Sequence, residues 1–305
     1  MSVAVSVVIP MRNGGDYIAS TLESVLSQGG VALEVVVVND GSTDGSDETV
    51  RRVAEADGRV RMIDGPCEGI APSLNAGLAE ARGGYVVRCD ADDHLPAGRL
   101  AEQAAFLDTH EEFAAVCGSF HTMSDRGKRL AAMRTGDSAQ EITEELRRGE
   151  TRTHFGTFMT RASVFGELGG ARPYFNGVED MDLQMRIGTG YRVWYEPADR
   201  YAYRLHGDSI THVQPSPKRE FLTETARAFA RQRAATGEDD LMRGNPPAVP
   251  EKEAPAMDVR AHTQGMLLGE AWRDHAAGRR GAAVSAGWRA CWRRPTNAGA
   301  WKSFV

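Results

Sequence analysis

The chain has 305 residues, 41% apolar and 26% charged, which places it among ordinary globular proteins with room for one large or two modest domains. Its longest apolar runs, Val3 to Pro10 and Val31 to Val38, are strand-sized and well short of the ~20 residues that cross a bilayer, so no transmembrane helix is expected. A net charge of −6 argues against a general nucleic-acid binder, and four widely spaced cysteines without a Cys-x-x-Cys argue against a disulfide framework or a thiolate zinc site.

The first hundred residues alternate in a βα rhythm. Val3 to Pro10 is the continuous apolar run of a strand buried on both faces of a parallel sheet. Tyr17, Ile18, Leu22, Val25 and Leu26 then fall at helical spacing, and the helix stops near Gly29-Gly30. Leu33 to Val38 is the second strand, ending in the turn-rich Asn39-Asp40-Gly41-Ser42-Thr43-Asp44-Gly45-Ser46 before a helix over 47–55. Val60 to Ile63, a helix over 71–81 and Tyr85 to Cys89 complete this half, and right-handed crossovers put the strand carboxyl ends on one edge. Beyond Pro96 a helix over 99–109 and a strand over 114–118 lead into a mixed α+β region with a polar stretch at 123–140. A helix led by Glu179-Asp180 follows, then strands over 192–195 and 201–205; from Lys218 on no strand is expected, and prolines 246, 247, 250 and 255 read as an exposed linker between helical stretches. The N-terminus lacks a basic n-region and cleavage site, so the cytoplasm is the expected location, and the cysteines are expected to be buried free thiols.

The densest chemistry lies at Asp90-Ala91-Asp92-Asp93, directly after the fourth strand. Hard divalent cations take oxygen ligands, and magnesium is usually held by one or two carboxylates while substrate phosphates fill the rest. Ligands of open α/β sheets bind outside the strand carboxyl ends, so the loops carrying Asp40 and Asp90 are expected to converge by topology.

Five segments in order resemble the family 2 glycosyltransferases of the GT-A fold: Val5-Ser6-Val7-Val8-Ile9-Pro10, Val38-Asn39-Asp40-Gly41-Ser42-Thr43-Asp44, Asp90-Ala91-Asp92-Asp93, Glu179-Asp180 and Tyr203-Arg204-Leu205-His206. The resemblance spans residues 3 to about 212. It implies an α/β fold with a GT-A type, Rossmann-like nucleotide-binding sheet over 1–95 and a mixed α+β acceptor half over 96–212; outside the resemblance, the residues themselves read as a helical extension over 213–305 with a Pro-rich linker near 245–255. It further implies an inverting enzyme that moves a sugar from a nucleotide-sugar donor, UDP or dTDP favoured, to the hydroxyl of a glycan or lipid-linked acceptor. By the same resemblance Pro10, Arg12, Asn13 and Asp40 hold the nucleotide, with Asp40 on the base. Arg12 stands where an aromatic residue is common, which leaves the base identity open because a guanidinium can also stack. Asn75, Arg88 and Asp90 are donor-side contacts. Asp92, Asp90, Asp93 and His206 are the expected set for a divalent cation, manganese or magnesium. Asp180 is the expected general base, Glu179 a sugar or acceptor contact, Asp182 structural, and His154 and Thr157 line the acceptor or sugar side. No Gln-x-x-Arg-Trp motif is present, which points to a single transfer and not to polymerisation. The rival readings are a sugar nucleotidyltransferase, which would need a glycine-rich basic first loop where only Arg12 is found, and a degenerate nucleotide-sugar-binding scaffold.

From Glu270 to Val305 seven Lys or Arg face two acidic residues, with Trp272, Trp288, Trp292 and Trp301 among them. Two readings stand: an interfacial helix that touches the inner membrane face, or a small helical subdomain whose tryptophans pack on the core or on a second subunit of a homodimer.

Overall fold

The computed structural model describes residues 3–206, 217–250, 259–276, 278–293 and 295. Its elements in chain order are β1 (Val5–Met11), α1 (Ile18–Leu26), β2 (Leu33–Asn39), α2 (Ser46–Ala56), β3 (Val60–Asp64), α3 (Ile70–Glu80), β4 (Tyr85–Arg88), α4 (Arg99–Thr109), β5 (Ala115–Ser124), β6 (Arg129–Met133), β7 (Gln140–Glu141), α5 (Thr143–Arg147), β8 (Met159–Arg161), α6 (Ala162–Leu168), α7 (Glu179–Gly190), β9 (Val193–Leu205), α8 (Pro217–Thr236), α9 (Val259–Ala276) and α10 (Arg280–Arg293), with single 3-10 turns at Phe155–Thr157 and Pro173–Phe175. One mixed sheet runs β3-β2-β1-β4-β8-β5-β9-β7, with β6 paired to β5. The first four strands are parallel, and β8 joins β4 antiparallel.

The continuous apolar run of β1 is explained by burial on both faces. Val5, Val7, Ile9 and Met11 enter one core with Ile18, Leu22 and Val25 of α1, while Val8 enters the opposite core with Leu74 of α3 and Leu183 and Ile187 of α7. Helix α3 lies so close to the sheet at Gly77 that a Cβ there would collide with the side chains of Val8 and Val38.

The second half differs from the sequence expectation in three places. The polar stretch at 123–140 contains β6, a hairpin partner of β5 whose buried positions are only Leu130 and Ala131. The two strands expected over 192–205 are one strand, β9, whose register against β5 shifts twice, leaving Pro197 and Ala198 and then Arg200 without a partner on β5. Gly118 faces that bulge, and a Cβ there would meet Arg200 and the Ala198 carbonyl. Helix α8 packs Leu222, Ala226 and Phe229 against Phe175, Val178 and Met185, so it shares a core with α7.

The described part of the proline segment is also attached. Leu241 and Val249 pack against that same core, Tyr174 Oη donates to the Pro247 carbonyl at 2.7 Å, and Asp239 is buried. Residues 251–255 of the expected linker, and Trp301, lie outside the described residues. Cys67 is exposed, contrary to expectation, because it sits on a surface loop at φ 59°; the other three cysteines are buried and free. Among the described residues no helix is long and apolar enough to cross a membrane.

Candidate active site

The carboxyl ends of β1, β2 and β4 share one edge, and the loops that leave them are fastened to one another. The Asn13 amide donates to Ser42 Oγ at 3.0 Å, the Thr43 amide donates to Asn13 Oδ1 at 2.8 Å, and the Gly15 amide donates to Asp44 Oδ2 at 2.7 Å. Asn13 adopts φ 55°, a left-handed turn that asparagine tolerates. Pro10 is buried in β1 opposite Val38, whereas Arg12 is exposed and makes no hydrogen bond or ion pair among the described residues. Asp40 is buried, and its two oxygens accept from the amides of Cys67 at 2.8 Å and Gly69 at 3.1 Å. It therefore pins the 65–69 loop to the β2 end, and each oxygen keeps a further acceptor site.

The acidic turn after β4 splits its carboxylates between inside and outside. Asp93 is fully buried, Oδ1 accepting from the Arg204 amide at 2.6 Å and Oδ2 left without a partner. Burial and the neighbouring charges of Asp92 and Asp90 push its pKa well above the usual carboxylate range. Asp93, expected among the metal ligands, thus has no open surface here, because the turn folds its side chain under β9. Asp92 remains partly open and lies 2.7 Å from His206 Nε2. Asp90, also partly open, accepts from Arg88 Nε at 2.8 Å.

Arg88 and Asn75, both expected to touch the donor, are structural ties in this structure. The Arg88 guanidinium is buried and bridges Asp90 to Glu179 Oε1, the latter at 2.8 Å, joining positions 91 residues apart. Burial opposes its charge, but Asp90 and Glu179 outweigh burial and hold its pKa well above the ordinary arginine value. Glu179 also accepts from the Gly177 amide at 2.8 Å and is buried, so it is spent on α7's own N-terminus and on Arg88. Burial raises its pKa against the opposing pull of Arg88. Asn75 brackets residue 171, donating to its carbonyl at 2.8 Å and accepting from its amide at 2.7 Å.

Next to Glu179, Asp180 is half-buried in the first turn of α7 and makes no hydrogen bond among the described residues. Its charge and that of Asp90 both reach buried His154, whose pKa is nonetheless lowered by burial. The His154 ring stacks on Tyr201 at 5.1 Å, and its Nδ1 accepts from the Gly156 amide. Thr157 is buried, with Oγ1 donating to the His154 carbonyl at 2.8 Å, so it supports His154 and the 3-10 turn. Asp182 pairs with Arg172 and lies 3.6 Å from Arg186, the structural place expected for it.

Sequence reasoning missed the fastening role of β9. Arg204, quoted there only as part of a motif, donates through Nε to the Asp92 carbonyl at 2.5 Å and through Nη1 to the Asp125 carbonyl at 2.8 Å, and lies 4.8 Å above the Tyr17 ring. Tyr17 also meets the His206 ring at 4.7 Å. The alternation of β9 sends Arg204 and His206 to the same side, and that two-residue spacing was the available signal.

The donor chemistry fits a hard divalent cation. Asp92 supplies carboxylate oxygen, His206 supplies imidazole nitrogen two bonds from a buried Nδ1 that has no partner, and Asp90 adds a second open carboxylate. Among the described residues no three histidine, cysteine or acidic side chains cluster as a ready metal site.

The comparisons with known proteins point the same way. The sequence family described as Glycosyl transferase family 2 matches residues 6–169. EpsJ of Bacillus subtilis (strain 168), an uncharacterized glycosyltransferase, is 31% identical over 231 residues, covering 70% of this chain and 64% of its own length. A chondroitin synthase of Pasteurella multocida (strain Pm70) is 28% identical over 234 residues, 76% of this chain and 24% of the relative, and a hyaluronan synthase of Pasteurella multocida is 41% identical over 208 residues, 68% and 21%. The chain therefore spans under two thirds of EpsJ and about a quarter or less of the two synthases. Among solved structures, S. aureus TarS 1-349 in complex with UDP-GlcNAc superposes with TM-score 0.62 at 18% identity over 94% of this chain and 80% of that one. The mannosyltransferase PcManGT from Pyrobaculum calidifontis, in complex with GDP-Man and Mn2+, gives 0.55 at 21% over 99% and 78%. These neighbours share the GT-A fold. With more than half its length matched by one family model, the chain belongs to glycosyl transferase family 2.

Proposed function

We propose that this chain is an inverting glycosyltransferase that moves one sugar per encounter from a UDP- or dTDP-linked donor to a hydroxyl of a glycan or lipid-linked acceptor, in surface glycan assembly at the cytoplasmic side of a membrane. The observation that carries this reading is the facing of two differently equipped carboxylate sets across one sheet edge. Open Asp90 and Asp92 leave β4, hydrogen-bond-free Asp180 leads α7, and Arg88 spans the gap between them. The relatives, with a chondroitin synthase and a hyaluronan synthase among them, support glycan synthesis, and the nucleotide sugars in complex with the solved neighbours support such a donor.

In this reading the 1–95 half binds the nucleotide. Arg12, unpaired and exposed beside the Asp40 loop, lies across the base, and Asp40 accepts from it while holding the 65–69 loop. Asp92, His206 and Asp90 would hold manganese or magnesium, with Asp93 supporting the turn from below; when bound, the cation stabilises the negative charge that collects on the departing diphosphate. Asp180 takes the proton of the acceptor hydroxyl as that oxygen forms its bond to the anomeric carbon. The bond from that carbon to the diphosphate breaks on the opposite face, and its electron pair leaves with the nucleotide. Glu179 acts through Arg88 to fix where Asp180 stands. Buried, neutral His154 and Thr157 shape the floor between donor and acceptor.

Calorimetry of UDP, dTDP, GDP and CDP, each with and without manganese, tests the reading. Binding of a uridine or thymidine diphosphate that requires the metal is expected. Binding of GDP alone would change the donor class, and no binding of any nucleotide would favour the scaffold alternative.

A further inference from the structure

The C-terminal helical hairpin of α9 and α10 exposes large apolar side chains while it docks on the catalytic domain. It docks on β6 through small and aliphatic groups: Ala131, Leu267 and Ala290 form the contact, with Leu268 beside them. Polar ties complete it, the Ala132 amide donating to Glu270 Oε1 at 3.4 Å and Arg289 donating to the Leu130 carbonyl. Five large apolar side chains are exposed among the described residues, and four of them are on this hairpin: Trp272, Val284, Trp288 and Trp292, each more than half open. Val284, Trp288 and Trp292 recur at every fourth residue of α10, one stripe about 12 Å long at 1.5 Å per residue. The Trp288 and Trp292 rings meet edge to face at 6.0 Å, which rigidifies the stripe.

We infer that this stripe is a docking surface for an anionic lipid bilayer. Charge selects the occupant. Residues 270–305 carry seven Lys or Arg against two acidic residues in a chain whose net charge is −6, and the two acids, Glu270 and Asp274, are already engaged by Arg289 at 3.4 Å and Arg279 at 2.8 Å. A second copy laid stripe to stripe would bring two like-charged segments together. An anionic interface suits both the stripe and its charge, because indole settles at the headgroup level while arginine pairs with lipid phosphate. This inference concerns the hairpin alone and does not depend on the reaction proposed above.

The full chain is mixed with vesicles of equal parts phosphatidylglycerol and phosphatidylcholine, with vesicles of phosphatidylcholine alone, and with phosphatidylglycerol vesicles carrying brominated acyl chains. Four of the five tryptophans lie in the tail, and the fifth, Trp194, packs against Phe106 and Phe113, so quenching by bromine reads the tail. Expected are sedimentation with the anionic vesicles, quenching by the brominated ones, and a loss of about tenfold or more in partitioning for Trp288→Ser/Trp292→Ser. Both side chains are exposed, so an unchanged melting temperature shows that the variant is folded. Failure to sediment with anionic vesicles, equal partitioning onto phosphatidylcholine alone, or retained binding in the folded variant overturns the inference. So does a concentration-dependent dimer, seen by sedimentation velocity and abolished by the same variant, in a protein that ignores vesicles.

Discussion

The parallel half and the region beyond β4 bury different chemistry. Between residues 3 and 87 the buried charged side chains are Glu34 and Asp40 alone, and the rest of that interior is valine, isoleucine, leucine and small polar groups. From residue 88 on, six arginines are buried among the described residues, Arg88, Arg99, Arg186, Arg200, Arg204 and Arg233, together with Asp93, Glu179, Asp182, Asp239 and Asp274. Aliphatic burial is non-directional and sums over area, so it makes a platform. A guanidinium has five donors in a fixed fork, so each one ties particular distant segments together, as Arg88 ties Asp90 to Glu179 and Arg204 ties Asp92 to Asp125. The loops of the site are therefore supported from below by grease and positioned from the side by arginine.

That contrast is sharpened most by changing the acid at the start of α7 that makes no hydrogen bond among the described residues. Asp180→Asn is expected to lower transfer by about 10²–10⁴-fold, the range for loss of a positioned general base, while nucleotide affinity measured by calorimetry stays unchanged. Loss of nucleotide affinity in this variant would remove Asp180 from the acceptor face. Next in size is Arg88→Met, which leaves Asp90 and buried Glu179 without their shared partner; breaking such a pair costs about 3–5 kcal/mol in urea unfolding. Adding Glu179→Gln should recover part of that loss, and additivity of the two changes would show that the bridge contributes nothing. On the aliphatic side, Leu22→Ala should cost about 2–5 kcal/mol by cavity formation and leave the rate per folded molecule unaltered, because α1 supports the sheet from one face. A large fall in that rate would break the division between platform and positioning.

Legibility in the sequence followed the same division. The elements from β1 to α4 were readable to within a residue or two because each is announced locally, by a run of β-branched residues, a helical period or a turn cluster. The convergence of the Asp40 and Asp90 loops was readable because strand direction follows from the crossover rule. Strand β6 was not, since two buried residues in a polar stretch give no period, and the joining of β9 across Pro197 was not, since a bulge is a tertiary accommodation. Within the site, the types of side chain were visible and their directions were not. Three aspartates in four residues looked equivalent, yet the turn buries Asp93 and leaves Asp90 and Asp92 open. The internal partners of Arg88 and Asn75, 91 and 96 residues away, leave no local trace in the sequence. The tail's tryptophans were compatible with either packing or exposure until the docking face proved to be Ala131, Leu267 and Ala290.

The smallest expected effect isolates one tie of the arginine side by pH. His94 pairs its backbone with Ala202 across β9, and its Nε2 lies 2.7 Å from Arg204 Nη2. Arginine can only donate, so Nε2 is the acceptor and the ring is neutral. Burial, and then the charge of Arg204, lower the His94 pKa from 6.5 to about 4. Between those two values the unfolded chain binds a proton that the folded chain refuses. Stability must therefore fall as pH drops from about 6.5 towards about 4, with a slope of up to one proton. Part of the ring is open to water, which trims the effect to on the order of 1–2 kcal/mol by pH 5. His154 contributes in the same direction, also through burial, so the quantity to follow is the difference between the wild type and His94→Gln, whose amide oxygen can still accept from Arg204. Urea unfolding at pH 7 should give nearly equal stabilities, and at pH 5 the variant should be the more stable. Parallel pH profiles would mean that Arg204 does not hold the His94 ring neutral, and that the side chain of Arg204 fastens the acidic turn through the Asp92 carbonyl and not through His94.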